Sequence, residues 1–210
     1  MAASLPVKLP SIRITVAAVV LAAIWFEMLT LGAGPADSAL GKLLYAGGHP
    51  AWVATARLFT FLGEPVVLIG FGIAAAFTLW SRRQQRYAAA VLAVMLIGRG
   101  LAQVQKYAIM RFRPEDEIHL VPVSTPSFPS GHATSSMIVY LTLALVFASH
   151  RWKWPAVVGA LLLSVCVGVS RVMLGVHWPT DVIGGWAFGL LWVMLALPAA
   201  ERLAKPPDLG

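Results

Sequence analysis

A helix crosses the hydrocarbon core of a bilayer with about 20 predominantly apolar residues, and this chain carries six runs of that kind. They are Ile12–Leu31, Pro65–Trp80, Tyr87–Met110, Ala133–Ala148, Pro155–Leu174 and Val182–Leu197. The second is short at these limits and is expected to begin upstream, near Ala56, with Gly63-Glu64-Pro65 as a bend. Composition agrees: 59% of residues are apolar and 12% charged, against roughly 25% charged in soluble domains. A water-soluble globular domain and a disordered chain are both excluded. The single cysteine, Cys166, rules out a disulfide framework and a thiolate zinc cluster. A net charge of +7 on so apolar a chain reads as basic flanks of membrane spans rather than a nucleic-acid surface. The fold class expected is all-α, a six-transmembrane-helix bundle forming one integral membrane domain over residues 1–210.

Charge sets the orientation. One side receives Lys8, Arg13, Arg82, Arg83, Arg86, Arg151, Lys153, Arg202 and Lys205. The other holds Lys42, Arg57 and Arg111, together with Asp37, Glu64, Glu115, Asp116 and Glu117. The positive-inside rule places both termini in the cytoplasm, with Trp80, Trp152 and Trp154 at the inner interface and Trp52 and Trp178 at the outer one. The first run follows Lys8 and Arg13 as a signal peptide would, but it is too long for an h-region and contains Glu27, so a retained helix is expected. Between the first two runs, Ala36–Tyr45 carries Leu40, Leu43 and Leu44 on one helical face and reads as a short helix on the extracytoplasmic surface, with a plain loop as the alternative.

Three polar clusters interrupt the apolar background. Lys106 to Arg113-Pro114 ends the third run, Pro129-Ser130-Gly131-His132 opens the fourth, and Ser170-Arg171, His177 and Asp181 lie between the fifth and sixth. The topology puts all three on the same side of the membrane. Lys106 and Arg113 are seven apart, so on a helix they share a face, one a point charge and one a bidentate fork. Arg171 adds a second fork. Ser130 and Gly131 stand at a helix N-terminus, where free N–H groups favour an anion. This is equipment for the oxygens of a phosphoryl group. His177 and Asp181 are i and i+4, so the carboxylate can hold one imidazole nitrogen and leave the other to attack. His132, from a facing helix, can protonate the leaving oxygen.

The clusters resemble, position for position, the signature motifs of the type 2 phosphatidic acid phosphatase family: Lys, six residues, Arg-Pro; then Pro-Ser-Gly-His; then Ser-Arg, five residues, His, three residues, Asp. The resemblance extends to the six-helix plan. It implies that His177 forms a phosphohistidine with Asp181 orienting it, that His132 is the general acid and later activates water, and that Lys106, Arg113, Ser130, Gly131 and Arg171 bind phosphate. It also implies chemistry without a metal or other cofactor.

The activity expected is hydrolysis of a phosphomonoester or diphosphate lipid headgroup in the extracytoplasmic leaflet of a bacterial-type inner membrane. Candidate substrates are undecaprenyl diphosphate, phosphatidylglycerol phosphate, phosphatidate and lipid A phosphates, with the first placed ahead on family habit alone. A lipid phosphotransferase using the same phosphohistidine is the alternative. A transporter has no need of His132, His177 and Asp181 together, and the haloperoxidases that share these motifs are soluble. Partners beyond the lipid substrate and the bilayer are not indicated, and neither nucleic acid nor an obligatory protein partner is expected.

Arg99 lies deep in the third run, where an unpaired charge costs at least about 2.5 kcal/mol. It is expected to face the bundle interior beneath Lys106 and to support the site, with Glu27, at similar depth, as its partner and Asp181 as the alternative. Glu115-Asp116-Glu117 reads as a solvated loop or as an acidic rim for the site. Gly185 and Gly189 form a face for close packing within the bundle.

Overall fold

The computed structural model describes residues 12–115 and 118–204. Lys8, Asp116, Glu117 and Lys205, invoked above for orientation and for the acidic rim, lie outside the described residues. The described chain is helical, without strands: α1 Ile12–Leu31, α2 Pro35–Leu44, α3 Pro50–Leu62, α4 Pro65–Ser81, α5 Gln85–Ile109, α6 Gly131–Phe147, α7 Lys153–Met173 and α8 Pro179–Ala204. A 3-10 turn at His150–Trp152 leads into α7.

The helices expected at the six apolar runs are present, with different limits. Ile12–Leu31, Pro50–Ser81, Gln85–Ile109, His150–Met173 and Pro179–Ala204 are each long and apolar enough to cross a membrane. The sixth, α6, has 17 residues and rises about 26 Å, short of the roughly 30 Å hydrocarbon core. Its N-terminus is built into the polar site rather than reaching past it, so full length is not required. The second span begins at Pro50 rather than near Ala56 and breaks where expected, at Gly63-Glu64, with Pro65 opening α4.

Helix α6 is the centre of the bundle. Every side chain from Ala133 to Thr142 is buried, and α5, α7 and α8 pack around it. The α6–α8 approach depends on the paired glycines: a Cβ on Gly185 would sit 2.9 Å from Thr134 Oγ1, and one on Gly189 would sit 2.9 Å from Met137 Cβ. Lower in the bundle, Val91, Ile138 and Val193 form the middle of the main apolar cluster. The periphery is apolar as well. Val16, Val19, Phe26, Val66, Ile73 and Phe77 are exposed, a distribution suited to lipid rather than water.

The surface helix forms as α2, but not on the leucine face alone. Leu44 packs beside Val172, Val182 and Trp186, whereas Leu40 and Leu43 are exposed. The anchor is Asp37, which is buried and accepts hydrogen bonds from the backbone N–H and the hydroxyl of Thr180 at the start of α8.

Candidate active site

The chain between α7 and α8 is short, and the first turn of α8 fixes its end. Asp181 is the third residue of α8, and its Oδ2 accepts from the Trp178 backbone N–H at 2.9 Å, the reach-back of an acidic residue in a capping box. The same oxygen lies 3.3 Å from His177 Nδ1 and also accepts from Ser127 Oγ. On the other edge of the ring, Nε2 is 3.2 Å from Arg113 Nη1. A guanidinium only donates, so Nε2 presents its lone pair and Nδ1 carries the proton toward the carboxylate. That is the tautomer a nucleophilic imidazole requires. Burial, with Arg113, Lys106 and Arg171 close by, holds this imidazole well below its ordinary 6.5.

Cations surround His177. Lys106, on the last turn of α5, donates from Nζ to Pro126 O at 2.6 Å and Ser127 O at 3.2 Å. Arg113 donates from Nε to Thr125 O at 2.7 Å, and from Nη1 to Val176 O. Arg171 donates to Thr60 Oγ1 at 2.6 Å. Ser130 Oγ and Arg171 Nε are buried without a hydrogen-bond partner among the described residues, two groups left over for phosphate oxygens. Gly131 and His132 begin α6, where backbone N–H groups have no intrahelical acceptor. Lys106, Arg113, Gly131, His132, Arg171 and His177 share the wall of a cavity of about 280 Å³.

Two expectations about this site are corrected. Lys106 and Arg113 do not share a helical face: α5 stops at Ile109, and Met110 is left-handed at φ 53°. Arg113 reaches the site from the following loop instead. Arg99 does line the cavity, but it donates to Ser135 Oγ at 3.5 Å and forms no ion pair with Glu27 or Asp181 among the described residues. Glu27 is exposed. On α1 it is Trp25 that turns toward α5, donating to Gln105 Oε1 at 3.0 Å. Glu27, two residues on, is rotated by about 200° from it.

The carboxylate of Asp181 is instead paired with Arg111, at 3.0 Å. Arg111 also donates to Met28 O and Leu29 O at the end of α1, at 2.9 and 2.8 Å, and its guanidinium stacks 4.3 Å from the Phe128 ring centroid. The sequence reading had only counted it as a flanking charge. Its place two residues before Arg113-Pro114 was the available signal. Ser127, beside His177 and Asp181, and Glu64, 3.3 Å from His132 Nε2, were also missed as site residues.

Residues 86–204 match the PAP2 superfamily. Over 153 residues the chain is 35% identical to phosphatidylglycerophosphatase B of Bacillus subtilis (strain 168), covering 70% of this chain and 71% of that protein. Over 200 residues it is 33% identical to a lipid A 1-phosphatase of Rhizobium johnstonii, covering 87% of this chain and 76% of that protein. The crystal structure of a transmembrane PAP2-type phosphatidylglycerolphosphate phosphatase from Bacillus subtilis superimposes with a TM-score of 0.79 at 31% identity, covering 88% of this chain and 96% of that one. With the motif residues converging on one cavity inside a bundle of this shape, the chain belongs to the PAP2 superfamily.

Proposed function

We propose that this protein hydrolyses a phosphomonoester or diphosphate headgroup of a membrane lipid through a phosphohistidine at His177. The observation that carries the reading is the state of that ring: one nitrogen faces the Asp181 carboxylate, and the other turns its lone pair to Arg113, in the wall of a cavity that Lys106 and Arg171 also line, where a phosphate can take over that guanidinium. Nε2 attacks phosphorus, and the lipid oxygen leaves with a proton from His132. The cations and the N–H groups at the start of α6 hold the equatorial oxygens as charge develops on them. Water, activated by His132, then releases phosphate. Ser130 and Gly131 serve as phosphate ligands at that helix end.

The residues at the two ends of the bundle support an orientation. Helices α4 and α6 start at the site and α7 ends there, so Arg82, Arg83, Arg151 and Lys153 gather at the opposite end. That end is the cytoplasmic one by the positive-inside rule, with the active site extracytoplasmic in a bacterial-type inner membrane and both termini cytoplasmic.

Purified protein given a panel of undecaprenyl diphosphate, phosphatidylglycerol phosphate, phosphatidate and lipid A tests the reading. Phosphate release is expected with no added acceptor, which distinguishes hydrolysis from phosphotransfer. Lys106, Arg113 and Arg171 in the cavity wall are the chain's own cations for the phosphate. Activity is therefore expected to persist in a chelator and to be inhibited by vanadate, which adopts the five-coordinate geometry of the transferring group. Loss in chelator with recovery on adding magnesium contradicts this. The panel also decides whether undecaprenyl diphosphate, placed first on family habit alone, is the preferred substrate.

The pH profile has a defined sign. The neutral His177 ring attacks, and its lowered pKa keeps it neutral to lower pH than a free imidazole. The acid limb of kcat/KM, which reports the free enzyme, is expected below about pH 6.5. An acid limb above that value contradicts the assignment.

A further inference from the structure

We propose that Glu64 is a positioning residue for His132, fixing its tautomer and supporting its charge so that the site can expel a lipid alkoxide as well as a phosphate. The inference rests on the phosphohistidine reading above. Its basis is the break between α3 and α4. Irregular backbone at membrane depth is tolerated where it is buried in protein or lines a polar cavity, and here Thr60, Gly63, Glu64 and Pro65 line the cavity of the site. Thr60 Oγ1 accepts from Arg171 at 2.6 Å. Leu62 O accepts from Tyr140 Oη at 2.6 Å. At Gly63 a Cβ would sit 2.4 Å from Val167 Cγ1 and 2.9 Å from His132 Cδ2, so only glycine lets the His132 ring lie against this backbone. The next residue, Glu64, places Oε1 3.3 Å from His132 Nε2, and Pro65 starts α4.

The charges around His132 give this contact a purpose. Arg99 and Lys106 from α5, Arg171 from α7 and His177 from the loop before α8 line the same cavity as His132, and the three cations disfavour a further positive charge beside them. Glu64, from the α3–α4 junction, is the carboxylate beside it. With Nε2 on Glu64, Nδ1 is the nitrogen left for the substrate. In the first half-reaction the His177 Nε2–phosphorus bond forms, and the phosphorus–oxygen bond to the lipid breaks. The departing oxygen takes the Nδ1 proton of His132, whose neutral ring keeps its Nε2–H on Glu64. In the second, the unprotonated Nδ1 takes a proton from the attacking water, restoring the imidazolium as phosphate leaves His177. Glu64 thus does for the acid what Asp181 does for the nucleophile. A phosphate leaving group departs without needing that proton, whereas an alkoxide does not.

The test compares wild type and Glu64→Gln on hexadecyl phosphate and hexadecyl diphosphate in the same detergent. The substitution is expected to lower kcat on the monophosphate by about 10²-fold, the scale of general acid catalysis, and on the diphosphate by less than about tenfold. It is also expected to move the alkaline limb of the monophosphate profile to lower pH, because loss of the anion lets the imidazolium give up its proton sooner. Retained diphosphate turnover shows that the variant is folded. Equal losses on both substrates, no loss on either, an unmoved alkaline limb, or a wild-type enzyme inert to the monophosphate each overturns the assignment. Wild type releasing phosphate from neither lipid overturns the phosphatase reading itself, and the inference with it.

Discussion

Replacing His177 with alanine is expected to lower lipid phosphate release by about 10³-fold or more, roughly 4 kcal/mol of barrier. The size follows from what the ring does. In the proposed mechanism it supplies the attacking lone pair, and its described neighbours have other roles: Arg113, Lys106 and Arg171 are cations, Ser127 Oγ is committed to Asp181, and His132 is the proposed acid. Binding should survive better than turnover, since the phosphate ligands remain, and kcat should fall far more than KM rises. Asp181→Asn keeps the shape of the side chain but loses the charge that orients the ring, and a smaller though still severe loss is expected. Steady-state turnover of the two variants checks both, and wild-type turnover in His177→Ala contradicts the mechanism.

Arg111→Met is expected to damage stability and activity together. Asp181 is 0% exposed and pairs with Arg111 at 3.0 Å. Removing one partner of a buried pair leaves an uncompensated charge, at a cost of about 3–5 kcal/mol. The substitution also frees the Met28 and Leu29 carbonyls at the end of α1, where a helix has no internal donors. The carboxylate would then meet its missing charge by taking a proton, leaving His177 Nδ1–H without its anionic acceptor. Thermal unfolding in detergent is expected to move down sharply, with turnover of the surviving folded protein reduced by about 10²-fold, or roughly 2.7 kcal/mol. Arg111→Lys retains charge but not the fork and should recover only part of either quantity. Wild-type Tm and turnover in Arg111→Met would show that the pair is incidental.

These two residues mark the limits of what the sequence discloses. His177 and Asp181 are legible because i and i+4 on a helical start meet whatever the rest of the chain does. Arg111 is not, because its partner is seventy residues away and its backbone lies in a loop whose path depends on Met110 turning left-handed. That same turn defeats the expectation that Lys106 and Arg113 share a helical face. Helix locations were legible from hydropathy, and the α3–α4 break from Gly63-Glu64-Pro65. The limits of α8 were not, since it runs on at both ends, to Pro179 and Ala204, past the apolar run Val182–Leu197. The Arg99–Glu27 pairing fails for a related reason. Counting residues from a helix end gives depth but not azimuth, and α1 presents Trp25, not Glu27, to α5. Glu64 lay in plain view at the bend. Its partner His132 is 68 residues away, and only the packing of α4 against α6 brings them together.

The most direct test of the account is to trap and map the phosphoenzyme. Wild type and His177→Ala are mixed with a lipid phosphate radiolabelled at phosphorus, quenched in alkali, digested, and the labelled peptide is identified. The account predicts label that is stable in alkali, labile in acid, located on His177, and absent from His177→Ala. Acid-stable label, label on another residue, or label persisting in His177→Ala would contradict it.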